Sequence, residues 1–387
     1  MPFVSKEYFR SLLPVDEILL QLQQKLPTNA KFGSNWQIEP IDKGYSGFDL
    51  GILYPDWIEL NEDEKLPDKL LVKACRRNEL MFDDGFGGNV HFEPRRVERR
   101  NRGFLRKHRV ESRALELLGA DDTFLVPKFI DSAKCLDVYD LPPQDFIIEV
   151  LHWIAELQIF GASGSISDED RQLLTNPKTD WVSYIHIEEF TPEKIDVMFE
   201  GMLGPEKQDL IQKARNAVRE IGEKHELIVN SINKDLDIAL VLCHSDVYSR
   251  NLMVDDNYKL KAVLDLQGVR YGNCAEDVMF LLFDVLPGKD RRIFVNHYFA
   301  EFYKILVHKC RGEPPYLFKD LRESLYRLSE LGALFLARCG WLEREKTMEN
   351  VKDVPKETAQ FVLDDKFEAV LEDFLFYHER NKRIFKV

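Results

Sequence analysis

One stretch of this chain constrains its fold more than any other. Two short apolar runs, Ala239–Cys243 and Leu260–Leu264, flank the polar segment His244-Ser-Asp246-Val-Tyr-Ser-Arg-Asn251. Apolar runs this short, bounded by turn formers, read as buried strands rather than helices. The turn Asp255-Asp256-Asn257 lies between them. Asn251 follows Asp246 by five positions, and Asp265, at the end of the second run, follows it by nineteen. Two carboxylates and an amide are thereby placed at strand ends. The bland reading of the same residues is an Asx-rich turn between two core strands, with His244 a satisfied core histidine.

The sharper reading is chemical. Phosphoryl transfer from ATP needs one carboxylate to orient and deprotonate the attacking hydroxyl. It also needs a second carboxylate and an amide oxygen to hold magnesium against the phosphates. An Asp with an Asn five residues on, and a metal-binding Asp on a later strand, is the kinase pattern. At these residues the chain resembles the CHK kinase-like proteins, relatives of the insect ecdysteroid kinases that group with choline kinases and aminoglycoside phosphotransferases. It is most like their nematode branch. The likeness is carried by His244-Ser245-Asp246-Val247-Tyr248 with Asn251, by Leu264-Asp265-Leu266-Gln267, and by Gly272-Asn273-Cys274-Ala275-Glu276-Asp277. Gly288-Lys289-Asp290-Arg291-Arg292 and Glu301-Phe302-Tyr303 continue it. Ser245 stands where the family usually has Gly.

The resemblance implies a protein-kinase-like, two-lobe α+β fold. A β-rich N-terminal lobe over residues 1–140 would bind nucleotide, and a larger helical lobe over 141–387 would carry the catalytic loop, metal and acceptor sites. It further implies a phosphotransferase that uses ATP and Mg2+ on the hydroxyl of a small-molecule alcohol. Asp246 would be the base, Asn251 and Asp265 the magnesium ligands, and His244 a brace of the loop. Asp277 opens an apolar helix. It reads as a helix-start carboxylate favoured by the dipole, or, as the resemblance implies, as a buried group that hydrogen-bonds the catalytic-loop backbone and holds Asp246 in place.

The rest of the chain fits two lobes. Residues 5–26 carry Tyr8, Leu12, Leu19, Leu22 and Leu26 at helical spacing. Strand-and-turn character follows in Trp36–Ile38, Asp42–Gly47 and Phe48–Tyr54, then a charged loop over 56–68 and a strand at Leu70–Cys75. Lys73 on that strand is the ATP-lysine candidate. A strand-end lysine facing solvent would look the same, and it is the family's matching strand that favours the phosphate role. The resemblance places Glu111 as its partner on the following helix, with Glu98 and Glu116 as rivals. Gly44, with Gly47, sits where a phosphate-covering loop would be, though a plain turn also uses glycines. Residues 78–94 read as a surface loop and 95–118 as a long helix. The basic run from Arg95 to Arg109 reads as a solvated helix face, or secondarily as a patch for an anionic substrate or a partner. From 145 onward the pattern is mostly helical, with His152-Trp153 in a core helix.

One segment is short for the family. Between Gly119 and Leu141-Pro142-Pro143 only Phe124–Ile130 reads as a strand, and Pro127 interrupts it. In the family, backbone groups of that region hold adenine. The shortening motivates a second reading, a pseudokinase-like scaffold that works through partners.

Composition excludes other classes. A net charge of −14 disfavours a general nucleic-acid binder. No uncharged apolar run approaches the roughly 18 residues of a membrane span. The six cysteines form no C-x-x-C pair and mostly sit in apolar runs, so reduced thiols and a cytoplasmic location are expected. Nothing in the pattern specifies the oligomeric state.

Overall fold

A computed structural model describes residues 19, 30–41, 48–59, 66, 68–75, 113–114, 117–118, 133–175, 192–233 and 238–384. The chain divides into two compact units, residues 1–102 and 103–387.

The first unit is built on strands. β1 (Lys31–Phe32) pairs antiparallel with β4 (Trp57–Ile58). β2 (Gln37–Ile41), β3 (Phe48–Tyr54) and β5 (Leu70–Cys75) form an antiparallel sheet in the order β2-β3-β5. The expected strands are therefore present, and β4 interrupts the segment expected to be loop. Cross-strand pairing sets the register: Ile38 lies opposite Leu53, and both are buried with Leu19. Phe32 lies opposite Trp57, and their rings stack with centroids 4.6 Å apart. Lys73 lies in β5 opposite Leu50.

The second unit is mostly helical around two small antiparallel sheets. β6 (Lys134–Cys135), β8 (Leu252–Val254) and β9 (Leu260–Val263) pair in the order β6-β8-β9. β7 (Val241–Cys243) pairs with β10 (Arg270–Gly272). The two expected strands thus exist, but they do not pair with each other. Each has a partner that the sequence reading missed, because β8 and β10 are only three residues long and carry no turn signal between them and the functional loop.

Among the described residues the longer helical stretches are α1 (Gln144–Ala162), α2 (Asp168–Leu174), α3 (Pro192–Leu203), α4 (Gln208–Asn233), α5 (Glu276–Val285), α6 (Gly288–Lys309), α7 (Phe318–Glu349) and α8 (Lys356–Ile384). α1 buries Ile147, Val150, Leu151, Ile154 and Leu157, a stripe at helical spacing. Trp153 is buried in the same helix, whereas His152 faces solvent. α1 runs close to β7. A Cβ at Gly161 would lie 2.5 Å from that of Leu242. α5 is buried nearly throughout, with Val278–Phe283 apolar and Glu276, Asp277 and Asp284 each bonded to groups around it. Arg291 at the start of α6 is buried and reaches Asp373 of α8 at 2.5 Å, with a second bond to the Phe283 carbonyl. The residue pattern that made α5 and α6 recognisable is therefore a core element and its buried ion pair.

Candidate active site

The strands of the second unit converge on one loop. β7 ends at Cys243, and His244 continues it into the interior with no exposed surface. The His244 and Ser245 backbone N–H groups donate to the two carboxylate oxygens of Asp277, each at 2.8 Å. Asp277 thus holds the loop from beneath, one of its two sequence readings. Burial pushes its carboxyl up to about 7, the charge of Glu276 adds to this, and the two backbone bonds pull the other way. Glu276 is itself paired with Arg270 of β10 at 2.5 Å.

His244 braces the loop from the other side. Its Nε2 lies 2.8 Å from the Leu264 carbonyl, and burial pushes its pKa down to about 4. A ring kept neutral at ordinary pH is a spacer between strands rather than a proton carrier. Trp153 of α1 packs edge-on against it.

Backbone conformation aims the functional side chains. Ser245 adopts φ +66° and Asp265 adopts φ +62°, ψ +62°. Both lie in the left-handed region, which costs an L-residue roughly 1–2 kcal/mol. The family's Gly at 245 is explained by this, and the serine carries a strain the sequence did not reveal. Gly268 supplies the clearance. A Cβ there would lie 2.9 Å from the His244 carbonyl oxygen.

Asp246, Asn251 and Asp265 are brought together by hydrogen bonds along this loop. The Asn251 Nδ2 donates to the Asp246 carbonyl at 2.9 Å and to its Oδ2 at 3.1 Å. The Leu264 N–H donates to the Asn251 carbonyl at 2.8 Å, extending the β8–β9 ladder in which Leu252 faces Val263. Asn251 therefore sits beside the residue that precedes Asp265. The Gln267 Nε2 donates to Asp265 Oδ2 at 3.1 Å. Lys73 lies in the other unit, and Gly44, Glu111 and the basic run lie outside the described residues.

The donor set fits magnesium. With both hydrogen bonds of the Asn251 amide made through nitrogen, its Oδ1 is left as an acceptor, and Asp265 adds a carboxylate beside it in the loop. Magnesium typically takes one or two protein oxygens plus waters and phosphates, so no larger cage is required. Among the described residues no cluster of three or more His, Cys, Asp or Glu forms a closed metal cage.

Three residues around the loop escaped the sequence reading. Asp284 accepts from the Ser249 N–H at 2.7 Å. It lies two helical turns after Asp277, and two acids so spaced in an apolar helix were a legible signal. Arg250 and Gly268 carried no such signal, since their partners are distant in sequence.

The site and the elements around it define a kinase-like α+β fold: strand-rich first unit, helical second unit, and a polar loop held by a buried aspartate. The chain belongs to the DUF1679 family, a CHK-like family whose model, described as "Uncharacterized oxidoreductase dhs-27", matches residues 9–81 and 117–382. The matched spans take in Gly44, Lys73, Asp246, Asn251 and Asp265, and leave out Glu111. No curated protein matches the chain. Among solved structures, choline kinase from Cryptosporidium parvum Iowa II is similar at 13% identity, over 96% of each chain, with a TM-score of 0.48. Plasmodium vivax ethanolamine kinase is similar at 11% identity over 94% of this chain and 86% of its own, with a TM-score of 0.47. Macrolide 2'-phosphotransferase type I is similar at 12% identity over 94% and 99%, with a TM-score of 0.41. Among the described residues no helix is long and apolar enough to cross a membrane, and Cys135, Cys243, Cys274 and Cys310 form no disulfide.

Proposed function

We propose that this protein is a phosphotransferase that uses ATP and Mg2+ to phosphorylate a hydroxyl group of a small molecule. The observation that carries the reading is the hydrogen-bonded set Asp246–Asn251, joined through Leu264 to Asp265. Asp246 orients the acceptor hydroxyl and takes its proton. Its carboxylate is steered by the Asn251 amide, which leaves the amide oxygen to face a cation. Asn251 and Asp265 would hold magnesium, which supplies charge neutralisation at the phosphates. Lys73 grips the phosphates, with Glu111 as its partner and the backbone at Gly44 covering them. In this reading residues 1–140 serve the nucleotide and 141–387 serve catalysis and the acceptor.

The family description names a different chemistry, and the strands argue against it here. Dinucleotide-dependent hydride transfer on a doubly wound fold needs a parallel sheet with a glycine-rich turn at its switch point. All strand pairs among the described residues are antiparallel. A pseudokinase-like scaffold remains the second reading. It is favoured by the family match breaking at 82–116, where Glu111 lies.

Thermal unfolding with and without Mg·ATP separates these. At about 100 times its dissociation constant the ligand should add roughly 2.7 kcal/mol. Asp265→Asn should weaken that shift. Asp246→Ala should keep the fold and the shift and reduce turnover on an alcohol acceptor by about 10²–10⁴-fold. No shift at millimolar Mg·ATP would sink the phosphotransferase reading in favour of the scaffold.

A further inference from the structure

The residue before Asn251 is an arginine whose side chain turns away from the loop and into the body of the second unit. Its Nη2 donates to the Thr347 hydroxyl of α7 at 2.6 Å. Its Nε lies 3.7 Å from Asp137. The guanidinium is largely buried, with 16% of the side chain exposed. Both partners are distant in sequence, and both are themselves fixed.

Asp137 opens a tight turn just after β6. Its N–H donates to Asp140 Oδ2 at 2.8 Å, and the Tyr139 hydroxyl donates to Asp137 Oδ2 at 3.0 Å. The buried Lys366 of α8 donates to the Val138 carbonyl in the same turn at 2.6 Å. Thr347 is buried near the end of α7. Arg250 is thus a strut between the functional loop and a rigid anchor made from three other parts of the chain.

The strut acts on one short element. Ser249–Asn251 is a single 3-10 turn. Asp284 holds its first residue through the Ser249 N–H, Arg250 holds its second, and the Asn251 amide carries its consequence to Asp246. Rotation of so short a turn would move the Asn251 side chain directly. We propose that Arg250 is a positioning residue for the metal-nucleotide site, setting the Asn251 amide through its hold on Asp137 and Thr347. The inference rests on the phosphotransferase reading, because it assigns Asn251 to magnesium. In this assignment Arg250 contacts Thr347 and Asp137, and its effect is carried to the ligand site through Asn251.

The test compares ATP affinity by titration calorimetry in excess Mg2+ and in EDTA, for the full chain and for Arg250→Met, Arg250→Lys and Thr347→Val. Far-UV circular dichroism of the ligand-free proteins follows folding. The gain in ATP affinity that Mg2+ confers should fall by about tenfold in Arg250→Met, as for other groups that orient metal ligands. Arg250→Lys should recover part of it, since an ammonium reaches one partner in place of two. Thr347→Val removes one hydroxyl at near-constant volume and should lose less in the same direction. It carries the test if Arg250→Met fails to fold. If the magnesium-dependent gain is unchanged in the folded variants while melting falls, Arg250 is a structural strut only and the inference is wrong. If the wild-type protein binds no ATP in either condition, the phosphotransferase reading falls and takes the inference with it. That pattern is distinct from a binding wild type with an unaffected variant.

Discussion

Asp277 and His244 have pKa values shifted in opposite directions across the same short piece of backbone. Burial pushes Asp277 up to about 7 and His244 down to about 4. Between about pH 4 and 7 the folded state holds a proton on Asp277 that the unfolded chain has lost, so this contribution falls as pH rises. Between about pH 4 and 6.5 folded His244 lacks a proton that the unfolded chain holds, so its contribution rises with pH. The two nearly cancel. Asp277→Asn removes one side of that balance. The variant should therefore lose more stability than wild type on going from pH 7 to pH 4.5, by on the order of 2–3 kcal/mol. Urea unfolding at the two pH values reads this directly, and equal pH dependence in both proteins would refute it. The role of Asp277 was half legible in sequence. A carboxylate opening a helix is visible by itself, but only the family resemblance pointed to the loop backbone, and the two N–H partners, thirty-three and thirty-two residues away, came from the structure. The left-handed backbone at Ser245 was hinted at only by the family's glycine.

At the scale of elements, the functional loop is wedged between strands that belong to different sheets. β7 pairs with β10 and β8 with β9, so the chain between them must cross from one ladder to the other within Asp265–Val269. The left-handed Asp265 makes that bend, and the 3-10 turn Leu266–Gly268 completes it. Gly268 then passes under the His244 carbonyl. Gly268→Ala would press a methyl to 2.9 Å from that backbone oxygen, which cannot swing aside as a side chain would. A destabilisation of about 1–3 kcal/mol is expected, as for other overpacked positions. Thermal melting of the variant checks it, and an unchanged melting temperature would show the loop to be loosely held. Strand existence was legible here from apolar runs. Strand pairing was not, because a three-residue strand such as β10 leaves no periodicity to read.

For the second unit as a whole, a buried junction ties three long helices together. His378 of α8 sits between Glu330 of α7, 2.7 Å from Nδ1, and Glu220 of α4, 3.2 Å from Nε2. Asn381 also donates to Glu330 at 2.7 Å, and Lys382 pairs with Glu220 at 2.8 Å. Burial lowers the imidazole pKa, but the bond and charge of Glu330, with Glu220, outweigh it and leave the pKa raised above 6.5. A raised value means that the stabilisation is fully present below pH 6.5 and is lost as pH rises through the folded-state pKa. Wild type should therefore exceed His378→Gln in stability by more at pH 6 than at pH 8.5. Urea midpoints at both pH values measure the difference, and an equal gap at both would remove the histidine from the account. None of this junction was legible, since its members are spread from residue 220 to 382 and no local pattern links them. What the sequence by itself determined was the order of chemistry along the chain: a strand, an Asp, an Asn five on, an Asp nineteen on, and a buried apolar helix behind them. Those follow from local hydrophobic runs and residue types, which act over a few positions. Only the tertiary structure decided which strands pair, which carbonyl Gly268 must clear, and which distant side chains grip Arg250 and His378. Such partners are selected by packing and by the cost of leaving buried polar groups unbonded, and both arise only once remote segments meet.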